Sequence, residues 1–215
     1  MTIVVCIPGN SFSSEFFIRW TIFLQYCQQK GIKLILSQQH SNNIYYVRNM
    51  CLGGNTILGI NQKPFNSKIE YDYILWIDSD IIFTPEQFEK LLANDKDIVS
   101  GLYRMENYTQ FAAVKEWDEE YFKKNGGFQF LTDEDVKGKL LPFQVSYAGL
   151  GFTLVKKGVF ESLEYPWFKP HMQQIGEAID FSMEDVGFCL DAKEKGYEIW
   201  IDPTVIVGHQ KKFIV

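Results

Sequence analysis

The sequence predicts an α/β fold in one domain covering residues 1–215, with an α/β half over about 1–104 whose sheet is mainly parallel and a mixed, loop-rich half over about 105–215. Three observations carry this. Strand-like and helix-like segments alternate up to Leu102, the pattern of right-handed crossovers in a parallel sheet. The third strand-like run, "YDYILWI", ends abruptly in Asp78-Ser79-Asp80. Beyond "DIVSGLY" the alternation gives way to short strand-like pieces separated by turn signals.

The elements follow in order. "TIVVCIPG" reads as a buried strand closed by a Pro8-Gly9 turn. Ser13 or Ser14 can cap a helix running to about Lys30, with Gly31 at its C-terminal end. "IKLILS" is a second strand, and "NNIYYVRNMCLGG" spaces Ile44, Val47 and Cys51 as a helix does. After the third strand, Thr84-Pro85-Glu86-Gln87 supplies an N-cap, a proline at the first helical position and a glutamine three residues on. In the second half "FAAVKEW", "GGFQFL" and "FQVSYAG" read as strands, and "GFTLVKKGVFESL" as a strand leading into a short helix. "MEDVGFCLDAKEKG" is a helix ended by Gly196, followed by two short strands, "YEIWIDP" and "TVIVGH". The segment from Glu164 to Phe181 reads as a mobile loop, with Trp167 and Phe168 either exposed on it to stack on a ligand or packed in the core.

Composition narrows the function. An apolar content of 46% and 215 residues suit one ordinary globular domain. A formal charge of −6 gives no electrostatic reason to bind nucleic acid or an anionic membrane, and suits a chain that holds a cation. The four cysteines lie in apolar runs without metal-binding spacing and read as reduced core residues of a cytoplasmic protein. No basic leader precedes the first strand, and Arg19 and Gln25 interrupt the longest apolar stretch, so neither a signal peptide nor a transmembrane segment is expected. The abrupt end after "GHQKKFIV" fits a domain cut from a longer protein.

Asp78 and Asp80 are the informative pair. An aspartate at a strand end often makes a turn or caps the next helix, but Thr84 to Gln87 already supply the helix start. Ligands bind at the carboxyl ends of strands in open α/β sheets, and two carboxylates this close repel without a cation between them. A hard divalent ion that also binds phosphates fits. One class with such a pair, the Asp-x-Asp phosphatases, carries it on the first strand, followed by Thr or Val. Here it is on the third and Ile82 fills that place.

A second class matches over nearly the whole length. The order "RN" (Arg48-Asn49), "ILWIDSDIIFTPEQFEKLL", "DKDIVSGLYR", "YAGLGFTLVKKGVF", "MEDVGFCLDAKEKGYEIWIDP" and a terminal "GH" resembles the GT-A-fold glycosyltransferases with a DXD motif, among them those of chlorella viruses. The resemblance implies Mn2+ or Mg2+ held by Asp78 and Asp80, completed by a C-terminal histidine, His209. It implies a nucleotide-sugar donor, a UDP-hexose, lying against Pro8, Gly9, Ser37, Asp78 and Ser79, with Gly149 and Gly151 making room for the transferred sugar. Arg48 then reaches phosphate or base, or is simply a solvated helix arginine. Lys211 and Lys212 could hold the diphosphate. The acceptor is a carbohydrate or glycoprotein, on whose sugar face Trp167 and Phe168 could stack. If the chain is of the inverting kind, Asp185 of the Glu184-Asp185 pair takes the acceptor's proton, whereas the "GHQKK" ending resembles retaining members. Ser182 and Asp185 could equally form a capping box. Asp191, seven residues after Glu184 and within roughly 20° of it around the helix, is either solvated or part of the same cleft. If the chain is viral, the location is the host cytoplasm. The alternatives are an Asp-x-Asp phosphatase and a carbohydrate-binding module that kept the fold without the chemistry.

Overall fold

A computed structural model describes residues 1–211. The first half is built as the sequence implies: β1 (Thr2–Pro8), α1 (Ser14–Gln29), β2 (Lys33–Gln39), α2 (Ile44–Cys51), β3 (Tyr73–Ile77), β4 (Ile81–Ile82), α3 (Pro85–Ala93) and β5 (Ile98–Leu102). Each helix start has its reason. The Ser13 hydroxyl accepts from the Phe16 amide, and Thr84 and Gln87 close a reciprocal capping box. Gly31, at φ +67°, ends α1 in a left-handed conformation.

The second half comprises β6 (Gln110–Val114), α4 (Glu119–Asn125), β7 (Phe130–Thr132), α5 (Asp133–Val136), β8 (Phe143–Val145), β9 (Tyr147–Ala148), β10 (Phe152–Lys156), α6 (Val159–Ser162), β11 (Met172–Ile175), β12 (Ala178–Phe181), α7 (Glu184–Glu194), β13 (Ile199–Ile206) and β14 (Gly208–His209). α4 lies between the two strands expected on either side of it. Its signals are in the sequence: Asp118 caps it, Glu119 and Glu120 fill the first turn, Lys123 and Lys124 the last, and Gly126 terminates it in the left-handed region.

A seven-stranded sheet runs in the order β2-β1-β3-β10-β5-β13-β8. β2, β1 and β3 are parallel, as are β5 and β13, while β10 enters antiparallel between β3 and β5. The sheet is therefore mixed where the alternation in the first half suggests mainly parallel strands. The inserted strand comes from the second half, which the alternation does not reach.

Both faces of the sheet are buried around β1 and β3, so β1 from Ile3 onward and all of β3 are apolar. Val4, Cys6, Ile74 and Trp76 face one core with Phe160, Phe168 and Phe188. Ile3, Val5, Leu75 and Ile77 face the other, with Phe16, Phe23 and Phe88 of α1 and α3. Trp167 and Phe168 are fully buried core residues rather than a sugar platform, and the segment around them is fixed: Asn49 donates to the Phe168 carbonyl at 2.8 Å. Beyond it the expected loop folds into the antiparallel hairpin β11–β12. All four cysteines are buried and free. No helix among the described residues is long and apolar enough to cross a membrane.

Candidate active site

The parallel strands β1, β2 and β3 deliver their carboxyl ends to one edge. There Gly9, at φ +145°, lies so close to Ser79 that a Cβ would sit 2.5 Å from the serine hydroxyl. Only glycine lets the Pro8 turn approach the Asp-Ser-Asp segment in this way. The Ser37 hydroxyl, on the same edge, donates to the Cys51 carbonyl at 2.7 Å and ties β2 to the end of α2.

Asp78 and Asp80 face different partners. Asp78 receives a bidentate pair from Arg48, Nη1 to Oδ1 at 2.9 Å and Nη2 to Oδ2 at 3.0 Å. The third edge of that guanidinium, Nε, donates to Glu184 Oε1 at 2.9 Å. Arg48 is thus neither a solvated helix arginine nor open to a phosphate. It is 2% exposed and lies over the Trp76 ring. Burial opposes its charge, but Asp78 and Glu184 more than offset this and raise its pKa. Asn49, the next residue, bonds the Phe168 backbone on both sides. The "RN" pair therefore fastens α2 to the second half.

Asp80 turns towards the C-terminal segment. β14 pairs antiparallel with β4, setting Gly208 opposite Ile82 and His209 opposite Ile81. The bridge brings His209 Nε2 to 3.1 Å from Asp80 Oδ2, and Lys211 Nζ to 3.4 Å from the same oxygen. The Arg104 carbonyl lies 2.6 Å from His209 Nδ1 and accepts its proton, which leaves Nε2 facing Asp80. Burial opposes a proton on His209, but Asp80 and the Arg104 carbonyl outweigh it and raise the pKa. Burial likewise works against charge on Asp80, and His209 and Lys211 reverse the balance and lower its pKa. Lys212 lies outside the described residues.

The start of α7 carries the other acidic cluster. Ser182 is not its cap: the N-cap is Met183, and the Ser182 hydroxyl accepts from the His171 amide instead. Glu184 is buried on Arg48. Asp185 Oδ2 accepts from the Tyr147 hydroxyl at 2.8 Å, and Oδ1 from the Val186 amide at 2.8 Å. Burial, then the nearby Glu184, push the Asp185 carboxyl up to about 6 against the pull of Arg48 and the Tyr147 hydroxyl. Asp191 faces elsewhere, 3.2 Å from Lys169 and 3.0 Å from His171.

The glycines of "YAGLGF" make room for a ring that the sequence does not announce. A Cβ on Gly149 would sit 2.0 Å from the Tyr103 hydroxyl, and one on Gly151 2.7 Å from the same ring. Tyr103 also packs edge-on against His209, with centroids 5.1 Å apart. Tyr103 and Tyr147 are the site residues that motif reading misses: they lie inside "DKDIVSGLYR" and "YAGLGF", where the aspartates and glycines draw the attention instead.

No protein-family model matches the sequence, and no curated protein matches it. Solved structures match by fold. The chain is similar to A197 from STIV, a viral protein, at 16% identity and a TM-score of 0.53, covering 100% of this chain and 96% of that one. It is similar to GalNAc-T7, solved with UDP, GalNAc and Mn2+, at 12% identity and a TM-score of 0.57, covering 99% of this chain and 43% of that one. The catalytic domain of Drosophila beta1,4galactosyltransferase 7, solved with xylobiose, gives a TM-score of 0.49 at 10% identity over 98% of this chain and 71% of its own. With A197 and GalNAc-T7 as neighbours, the mixed α/β architecture is GT-A-like, as the sequence resemblance implies.

Proposed function

We propose that this chain is a metal-dependent glycosyltransferase that moves a hexose from a UDP-linked donor to a hydroxyl of a carbohydrate or glycoprotein acceptor. One observation carries the reading. Arg48 joins the Asp-Ser-Asp segment to the Glu184-Asp185 pair, so the carboxylate clusters that would serve donor and acceptor meet at the carboxyl edge of the sheet. The fold likeness to GalNAc-T7, itself solved with UDP and Mn2+, supports it.

Among the described residues no three His, Cys, Asp or Glu side chains converge as a complete metal site. The Asp80 carboxylate and the His209 imidazole, held together by the β4–β14 bridge, are a donor pair that fits Mn2+, whereas Asp78, expected as a third ligand, has both oxygens on Arg48. Ions of this kind commonly complete their shell with water and substrate phosphates. When bound, the ion would supply Lewis-acid stabilisation of the diphosphate leaving group. The protein's own part is to position and to move a proton. Asp185 accepts the proton of the acceptor hydroxyl as the acceptor oxygen bonds to the sugar C1. The C1–phosphate bond breaks, and the nucleoside diphosphate leaves with the electron pair. Pro8, Gly9, Ser79 and Lys211 line the donor edge. A phosphatase reading needs one aspartate free as nucleophile, and the bidentate grip of Arg48 on Asp78 works against it.

UDP with Mn2+ is expected to raise the melting temperature, because a ligand selective for the folded state stabilises it by mass action. A screen of UDP-, GDP- and dTDP-sugars for Mn2+-dependent nucleotide release then identifies the donor. No thermal shift with UDP and any divalent ion would remove the donor assignment. Glycan binding without UDP affinity would instead indicate a binding module.

The His209 assignment has its own pH signature. Its pKa is raised, so below that pKa a proton competes with the cation for Nε2. Apparent Mn2+ affinity, titrated with UDP present, should fall about tenfold per pH unit on the acid side. His209→Ala should weaken binding and flatten that dependence. An unchanged profile in the variant would take His209 out of the metal site.

A further inference from the structure

Next to Asp185 lies a cavity of about 350 Å³ that the reaction so far leaves unused. Its floor is aromatic: Trp117 and Phe122 both meet the Phe128 ring, with centroids 4.6 and 4.8 Å away. Its inner wall is Tyr147, which Trp117 and Phe130 approach at 6.2 and 6.4 Å. The hairpin β11–β12 closes the outer side through Gln173, Asp180 and Phe181.

Three of the polar groups at its rim are engaged within the fold, while the buried Trp117 indole Nε1 has no hydrogen-bond partner among the described residues. The Ser182 hydroxyl holds the His171 amide, Asp180 Oδ1 accepts from the Phe181 amide, and the Tyr147 hydroxyl is on Asp185. Trp117 Nε1, Gln173 and the second Asp180 oxygen could meet some hydroxyls of a sugar ring, but those set against the aromatic floor would stay without partners, at roughly 1–3 kcal/mol for each. A group without hydroxyls meets no such penalty and gains by covering aromatic surface. Because one face of this wall ends in the hydroxyl bonded to Asp185, the cavity begins where an accepting hydroxyl would sit.

We infer that this cavity is an acceptor subsite for an apolar group, aryl or alkyl, carried next to the hydroxyl that receives the sugar. The inference rests on the glycosyltransferase reading and on Asp185 marking the acceptor side. It names the acceptor class as a glycoside with an apolar aglycone, in place of a purely polar glycan.

The test is calorimetry with UDP and Mn2+ present, titrating p-nitrophenyl and octyl glycosides of a panel of hexoses against the corresponding free hexoses. The apolar glycosides should bind at least about tenfold more tightly than the free sugars. The aryl and alkyl arms tell which shape the cavity prefers. Phe122→Ser should abolish the preference while leaving the UDP-induced thermal shift unchanged. Phe181→Glu, at an exposed position on the cavity's outer side, should do the same should Phe122→Ser fail to fold. Equal affinity for apolar glycosides and free hexoses, with the UDP shift intact, overturns the subsite and leaves the transferase reading standing. So does a preference that survives the variants. Absence of the UDP shift with every divalent ion overturns the donor reading and this inference with it.

Discussion

Arg48→Ala is expected to destabilise the fold by about 3–5 kcal/mol, the range for breaking a buried ion pair from one side. For a chain of this size that lowers the melting temperature by roughly 10 °C. The guanidinium donates from all three nitrogens, and its removal leaves Glu184, with a side chain 5% exposed, and Asp78, 26% exposed, without their shared counter-charge. It also takes away a cation that lowers the Asp185 pKa. Arg48→Lys should recover only part of the loss, because a single ammonium cannot keep the bidentate geometry on Asp78 and reach Glu184 as well. Combining Arg48→Met with Asp78→Asn and Glu184→Gln should restore much of the stability, since the unpaired charges go with the arginine. Activity should not return. Chemical denaturation of the four proteins measures this directly. A cost of Arg48→Ala below about 1 kcal/mol would show that solvent or local rearrangement replaces the bridge, and Arg48 would then not join the two halves of the site.

Particular residues show how far the sequence leads. Caps, glycine ends and apolar runs place the first-half strands and helices well, because each depends on contacts within a few residues. Asp78 and Asp80 stand out because nothing local explains them. Their partners are another matter. Arg48 meets Glu184 across 136 positions and His209 meets Asp80 across 129, separations at which no periodicity speaks. The order of motifs brings His209 and Glu184 into consideration. Only the fold shows that the first aspartate is on an arginine and the second on a histidine. Trp167 and Phe168 show a choice that the sequence leaves open, since aromatics beside prolines suit a surface platform or a core, and the fold decides for the core. α4 and the β11–β12 hairpin, which frame the apolar cavity, are short and held partly by tertiary packing, and short elements carry weak periodic signals.

Asp185→Asn should lower turnover by roughly a hundredfold or more, leave UDP binding intact and make the protein more stable at neutral pH. The stability gain follows from the direction of the shift. The Asp185 carboxyl sits near 3.8 when unperturbed and at about 6 in the fold, so the folded state holds the proton more tightly. Its contribution to stability is greatest below about pH 4, falls as pH rises towards about 6, and stays lost above that. An amide that carries no charge removes this slope. The variant should match the wild type in acid and exceed it by about 1–3 kcal/mol at pH 7 to 8. A base of this kind also gives kcat/KM an acid-side inflection near its pKa, and Tyr147→Phe tests whether Asp185 sets it. That hydroxyl lowers the Asp185 pKa, so its removal should move the inflection upwards. A purely structural tyrosine would lower activity evenly across pH. Asp191→Asn is the control, because Asp191 is paired with Lys169 and His171 away from Tyr147. Loss of turnover in Asp191→Asn with little change in Asp185→Asn would move the base to Asp191 and leave the raised Asp185 carboxyl as a strain in the fold without a catalytic purpose.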